Sequence, residues 1–133
     1  MSRILVIDAS IVVDLIARFQ PEPIEELLWA SGSRLAAPEL LDVESLHALR
    51  RLDRDGHVPV SRSNLTQELK ALPIRRYRHA TLITGIWALR GQLTAYDAAY
   101  VVLAKLLNAT LITRDERLAR ASGLGDQVVR NEK

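Results

Sequence analysis

Four carboxylates stand against apolar segments of this chain. Asp8 ends the run Ile4-Leu5-Val6-Ile7, and Glu44 sits in the leucine-rich stretch Glu39 to Arg54. Asp97 opens the apolar stretch Thr94 to Leu107, and Asp115 follows the run Ala109 to Ile112. Burying an acid is costly unless a positive group compensates it. A hard divalent cation, Mg2+ or Mn2+, suits the role because such ions are held by oxygen ligands. The chemistry this points to is metal-assisted attack on a phosphate ester.

Each acid also has a local alternative. Asp8, in Val6-Ile7-Asp8-Ala9-Ser10, could cap the helix that follows, with Ser10 either the cap itself or a holder of the Asp8 carboxylate. Glu44 lies one turn from Leu40 and Ala48, flanking an apolar stripe, and could pair with His47 or Arg51. Thr94-Ala95-Tyr96-Asp97 has capping-box spacing, with Asp in place of Glu. Thr113 and Glu116 could form a second capping box, which would leave Asp115 for other work. Thr113 is also placed to orient a carboxylate or a water.

The elements that must position these residues alternate between strands and helices. Ile4 to Ile7 reads as a buried strand, Ile11 to Phe19 as a helix stopped near Pro21, and Pro23 as the first turn of the next helix, which Gly32 ends. Leu35 to Ala37 is a short strand, and Glu39 to Arg54 is a helix closed by Asp55-Gly56. Ser61 or Ser63 caps a helix to about Leu72. Ile74 to Arg78 is extended, Ala80 to Arg90 helical, and Thr94 caps a helix to Leu107. Thr110 to Ile112 is a strand, Arg117 to Ser122 a short helix, and Gln127 to Arg130 a last strand. Strands separated by helices imply a parallel sheet covered on both faces. In such sheets the ligand crevice lies beyond the carboxyl ends of the strands, where Asp8 and Asp115 fall.

Bulk properties narrow the class. At 133 residues, 48% hydrophobic and 26% charged, the chain reads as one globular domain, 1–133. A net charge of +2 makes no case for nucleic acid by itself. The basic residues are 15 Arg and 3 Lys, and Arg suits bidentate phosphate contacts. The absence of Cys excludes disulfides and thiolate metal sites and fits the cytoplasm. No signal peptide or membrane-length apolar run is visible.

Taken as an ordered set, the acids resemble those of the PIN-domain nucleases, in particular the small ribonuclease toxins of the VapC type. The matching stretches are Val6 to Ser10, Pro38-Glu39-Leu40 leading to Glu44, Leu93 to Tyr100, and Leu111 to Leu118. The resemblance spans nearly the whole chain, no acid of the family pattern is missing, and Arg54 to His79 carries no family motif. It implies a three-layer α/β/α PIN-like domain with a central parallel sheet. It also implies an active site of Asp8, Glu44, Asp97 and Asp115, supported by Thr113 and Ser10. Asp8 and Asp97 are expected as direct ligands of Mg2+ or Mn2+, with Glu44 and Asp115 acting through water or on a second ion. The implied reaction is hydrolysis of an RNA phosphodiester by a metal-activated water, leaving 5′-phosphate and 3′-hydroxyl ends.

RNA, a tRNA or ribosomal RNA among the candidates, is expected to reach the acids along basic surface. Arg75-Arg76-Tyr77-Arg78-His79 is the densest basic cluster, with Tyr77 able to stack on a base, and Arg114 is the basic residue most closely tied to the acids. His47, His57 and His79 show no ligand spacing and are expected to be structural. The resemblance further implies a VapB-like antitoxin partner and a homodimer, with no membrane association. Leu27, Leu28, Trp29, Ile83 and Trp87 are apolar candidates for partner surfaces, although core packing is the expected fate of most of them. Two rivals stand beside this reading. A non-catalytic PIN domain that binds RNA or protein would be marked by lost acids. An aspartyl phosphatase wants a second Asp where this chain has Ser10.

Overall fold

The computed structural model of the protein describes residues 3–17, 21–30, 32–56, 64–122 and 128–130, with backbone alone for 21–24 and 128–130. Its elements run β1 (Arg3–Ile7), α1 (Ala9–Ala17), α2 (Pro21–Leu28), β2 (Ser33–Pro38), α3 (Leu40–Arg54), α4 (Leu65–Ala71) and β3 (Ile74–Tyr77). A 3-10 turn (His79–Leu82) follows, then α5 (Ile83–Ala88), α6 (Ala95–Leu107), β4 (Thr110–Thr113), α7 (Glu116–Ala121) and β5 (Val128–Arg130).

The strands form one parallel sheet in the order β3-β2-β1-β4-β5. Chain direction explains the layers. From β1 to β2 to β3 the chain steps one way across the sheet; from β3 it returns past β1 to β4 and continues to β5. Right-handed crossovers then place α1 to α4 on one face and α5 to α7 on the other. The packing agrees: α1 lies against α2, α3 and α4, while α6 lies over β1, β2 and β4. This is the expected α/β/α sandwich. The central strand is buried on both faces, Leu5, Val6 and Ile7 each having no exposed surface, which is why β1 reads as an unbroken apolar run. β1 and β4 flank the point where the strand order reverses, and their carboxyl ends open a crevice there.

Several boundaries depart from the sequence expectation. Helix α1 begins at Ala9, two residues before Ile11, because the Asp8 carbonyl accepts from the Ile11 and Val12 N–H groups; its expected end at Phe19 lies outside the described residues. Ser61 and Ser63 also lie outside them, and Asn64 stands at the N-cap of α4. The stretch Ala80 to Arg90 is not one helix. It winds first as a 3-10 turn, where the Thr81 hydroxyl donates to the Arg78 carbonyl at 3.0 Å, and only then as the short α5. His79, at the start of that turn, accepts from the Leu40 N–H at 2.9 Å through its Nε2 and so caps the start of α3. Among the described residues no helix is long and apolar enough to cross a membrane.

Candidate functional site

Asp8 is the first residue after β1 and is 7% exposed. Its Oδ1 accepts from the Ser10 N–H at 3.1 Å and from the Ser10 hydroxyl at 2.6 Å. Its Oδ2 accepts from the Thr113 hydroxyl, at the end of β4. The same Thr113 oxygen accepts from the Asp115 N–H at 2.9 Å, and the Ser10 oxygen accepts from the Arg114 N–H at 3.0 Å. Two hydroxyls therefore fasten the turn after β4 onto the carboxylate after β1. Burial pushes the Asp8 carboxyl up to about 6, against the opposing effect of these hydrogen bonds.

Asp8, Glu44, Asp97 and Asp115 line one cleft of about 600 Å3, whose remaining wall includes Ala9, Ser10, Leu40, Val43, His47, Tyr96 and Tyr100. The four acids arrive from four places in the fold. Glu44 projects from α3, on the first face, and accepts from the Tyr100 hydroxyl of α6, on the opposite face, at 2.5 Å. Burial raises the Glu44 carboxyl, the Tyr100 hydrogen bond opposes this, and the negative charge of Asp97 adds to the rise. Burial, then the bond to Glu44, raises the Tyr100 phenol, so it remains a proton donor.

Asp97 stands in the first turn of α6, where its N–H donates to the Thr94 hydroxyl at 3.2 Å. Burial and the neighbouring Asp115 charge raise its carboxyl; Arg117 and the Thr94 hydroxyl act the other way. Asp115 caps α7 by accepting from the Leu118 N–H at 3.1 Å through Oδ1. Thus Asp115, rather than Thr113, is the cap, and Thr113 is freed to bridge Asp8 and the Asp115 N–H. The Arg117 guanidinium lies 3.7 Å from both the Asp97 and Asp115 carboxylates, but its side chain is 71% exposed, so this pairing is weak. The negative charge of the cleft is only partly offset by the protein itself.

That donor set suits a hard dication: it is all oxygen, and three of its four carboxyls are raised by burial, two of them also by a like charge. Among the described residues no three acidic, histidine or cysteine side chains gather into a ready-made metal cage. Waters and substrate oxygens would have to complete the coordination, as Mg2+ commonly requires.

The basic residues divide. Arg75 and Arg78 are exposed, with Arg75 lying 5.1 Å over the Tyr77 ring. Arg76 departs from the expected RNA contact: it grips Asp42 (closest approach 2.9 Å) and donates to the carbonyls of Leu69, Leu72 and Ile74. Arg114 departs as well. Its guanidinium is paired with the buried Asp14 of α1, and its side chain is only 14% exposed. Tyr77 is half-buried against the core instead of standing open for a base. His47, expected to be structural, lines the cleft; His57 lies outside the described residues. Of the apolar candidates Leu28 is buried, whereas Trp29, Ile83 and Trp87 are exposed, against the expectation of core packing. Tyr100 and Asp14 were not separable from core helix by sequence; the only hint is a polar atom within an apolar stretch.

The PIN domain family model matches residues 5–124. The chain belongs to the PIN-domain family. Relatives include the ribonucleases VapC3 and VapC1 of Mycobacterium tuberculosis. The first is 37% identical over 118 residues, covering 88% of this chain and 86% of that protein. The second is 42% identical over 123 residues, covering 90% and 91%. Among solved structures, PAE2754 from Pyrobaculum aerophilum superposes with a TM-score of 0.65 at 22% identity, covering 92% of this chain and 81% of that one. A toxin–antitoxin complex from Klebsiella pneumoniae gives 0.57 at 16%, covering 94% and 95%. These two share the fold.

Proposed function

We propose that this PIN domain, spanning 1–133, is a VapC-type endoribonuclease toxin that hydrolyses RNA phosphodiesters with Mg2+ or Mn2+. The observation that carries the reading is the convergence of Asp8, Glu44, Asp97 and Asp115 on one cleft at the strand-order reversal. Asp8 and Asp97 would hold the ion directly; Glu44 and Asp115 would hold its waters or a second ion. When bound, the ion lowers the pKa of a water and offsets charge on the phosphoryl oxygens. The chain does the rest. Ser10 and Thr113 fix the Asp8 carboxylate from two sides, and Tyr100 aims Glu44 into the cleft. Glu44, whose carboxyl is raised, is placed to accept a proton from a water in the cleft. Arg75 and Arg78 offer exposed positive charge to the RNA backbone. A VapB-like antitoxin partner, a homodimer and a cytoplasmic setting follow from the family reading, with the exposed Trp29, Ile83 and Trp87 available as apolar contacts.

The test is cleavage of total cellular RNA by the purified protein with Mg2+ or Mn2+, beside Asp8→Asn and Asp97→Asn, with fragment ends mapped. Discrete cuts, leaving 5′-phosphates, should vanish in both variants and in EDTA. Cuts that persist in both variants would overturn the assignment.

A further inference from the structure

Two residues beside the acids are apolar and open. Tyr96 immediately precedes Asp97 and is 62% exposed; Val43 immediately precedes Glu44 and is 67% exposed. Both line the cleft, and His47, one turn beyond Val43 on α3, lines it too and is exposed. A phosphodiester with a hydrated ion asks for polar walls, and nothing in that chemistry calls for an exposed phenol ring and isopropyl group there. Core packing does not account for them either, since most of each side chain meets solvent. The acidic part of the cleft and its apolar part come as adjacent residues on two helices, so a ligand that fills one lies against the other.

We infer that Tyr96, with Val43 and His47, forms a nucleobase subsite for the nucleotide flanking the scissile phosphate. This rests on the RNA-hydrolysis reading and adds to it a substrate contact that phosphate chemistry does not require. A tyrosine ring offers a rigid stacking face, imidazole a second one, and stacking accepts any base. The subsite therefore senses that a base is present and unstacked from its neighbours, more than which base it is. That would favour single-stranded segments over paired ones, because a paired base cannot leave its stack to meet Tyr96.

The experiment takes an RNA oligonucleotide spanning a mapped cut, and two copies with an abasic ribose on one or the other side of the scissile bond. Each is assayed with wild type, Tyr96→Phe and Tyr96→Ala. With wild type, one abasic copy should lose about 5- to 150-fold in kcat/KM. Tyr96→Phe should keep that sensitivity, because the ring remains. Tyr96→Ala should cut the intact oligonucleotide more slowly and lose the sensitivity. Wild type that cuts both abasic copies as fast as the intact one overturns the subsite, and so does Tyr96→Ala with undiminished sensitivity. If the wild type makes no metal-dependent cut in total RNA to map, the nuclease reading itself is overturned, and the subsite with it.

Discussion

Replacing Asp8 by Asn should make the metal-free protein more stable while removing its activity. The Asp8 carboxyl is raised from the ordinary 3.8 to about 6, chiefly by burial. About two pKa units at 1.36 kcal/mol each correspond to about 3 kcal/mol that the fold loses by keeping Asp8 ionised. The sign follows from proton uptake. Between pH 4 and 6 the folded chain holds a proton that the unfolded chain has released, so stability falls as pH rises through this window. Below the window the loss is absent, and above it the loss is complete. Asparagine has no charge to desolvate. Its oxygen can accept from Ser10, and its amide can donate to the Thr113 oxygen once that hydroxyl turns.

The assay is urea and thermal unfolding of wild type and Asp8→Asn in EDTA at several pH values. At pH 7.5 the variant should be more stable by about 2–3 kcal/mol, or about 10 °C in Tm for a chain of this length. The gap should close as pH falls through 6 and disappear near 4. Saturating Mg2+ should raise the wild type and leave the variant much less affected, because only a group that binds the ion gains from it. An Asp8→Asn protein no more stable than wild type at pH 7.5, or a gap that ignores pH, would refute the argument that a buried charge is being held here at the expense of the fold.

Tyr100→Phe removes one hydroxyl from a buried ring, so unfolding should shift by only about 1–2 kcal/mol. Loss of the donor to Glu44 should lower kcat by about ten-fold or more with KM for RNA nearly constant, a split that steady-state kinetics reads directly. Arg114→Gln leaves Asp14 buried without its guanidinium and should cost about 3–5 kcal/mol in urea unfolding. Its RNA affinity per folded molecule should be unchanged, whereas Arg75→Ala and Arg78→Ala should each reduce the salt dependence of RNA binding by about one phosphate contact.

The parts of this site that were legible in the sequence are those set by local pattern. An acid that ends an unbroken apolar run must sit at the carboxyl end of a buried strand, and Asp8 does. Thr94 three residues before Asp97 fixes a helix start, and the carboxylate must then lie in its first turn. Strand–helix alternation gives a parallel sheet, and the parallel sheet gives the crevice. Periodicity says nothing about which side chains from distant segments meet. Tyr100 on the apolar α6 reads as ordinary core until α3 brings Glu44 to within 2.5 Å of its hydroxyl.

The arginines show the same limit with a consequence for function. Arg75-Arg76-Tyr77-Arg78 looks like one basic patch, but neighbours along a strand point to opposite faces. Arg76 therefore turns to the helix layer, where Asp42 of α3 receives it, and Arg75 stays in solvent. Arg114 sits beside the acids in sequence, yet β1 and β4 are paired, so the turn after β4 lies beside α1, and Asp14 claims the guanidinium. Local charge density counts cations; the topology decides which of them are still available. Of the arginines in these two stretches, Arg76 and Arg114, which have structural carboxylate partners, hold the layers and the cleft turn in place. Arg75 and Arg78 stay exposed at the β3 edge of the sheet, and Arg117 stays exposed beside Asp97 and Asp115, so these are the cations that the proposed RNA reading would use.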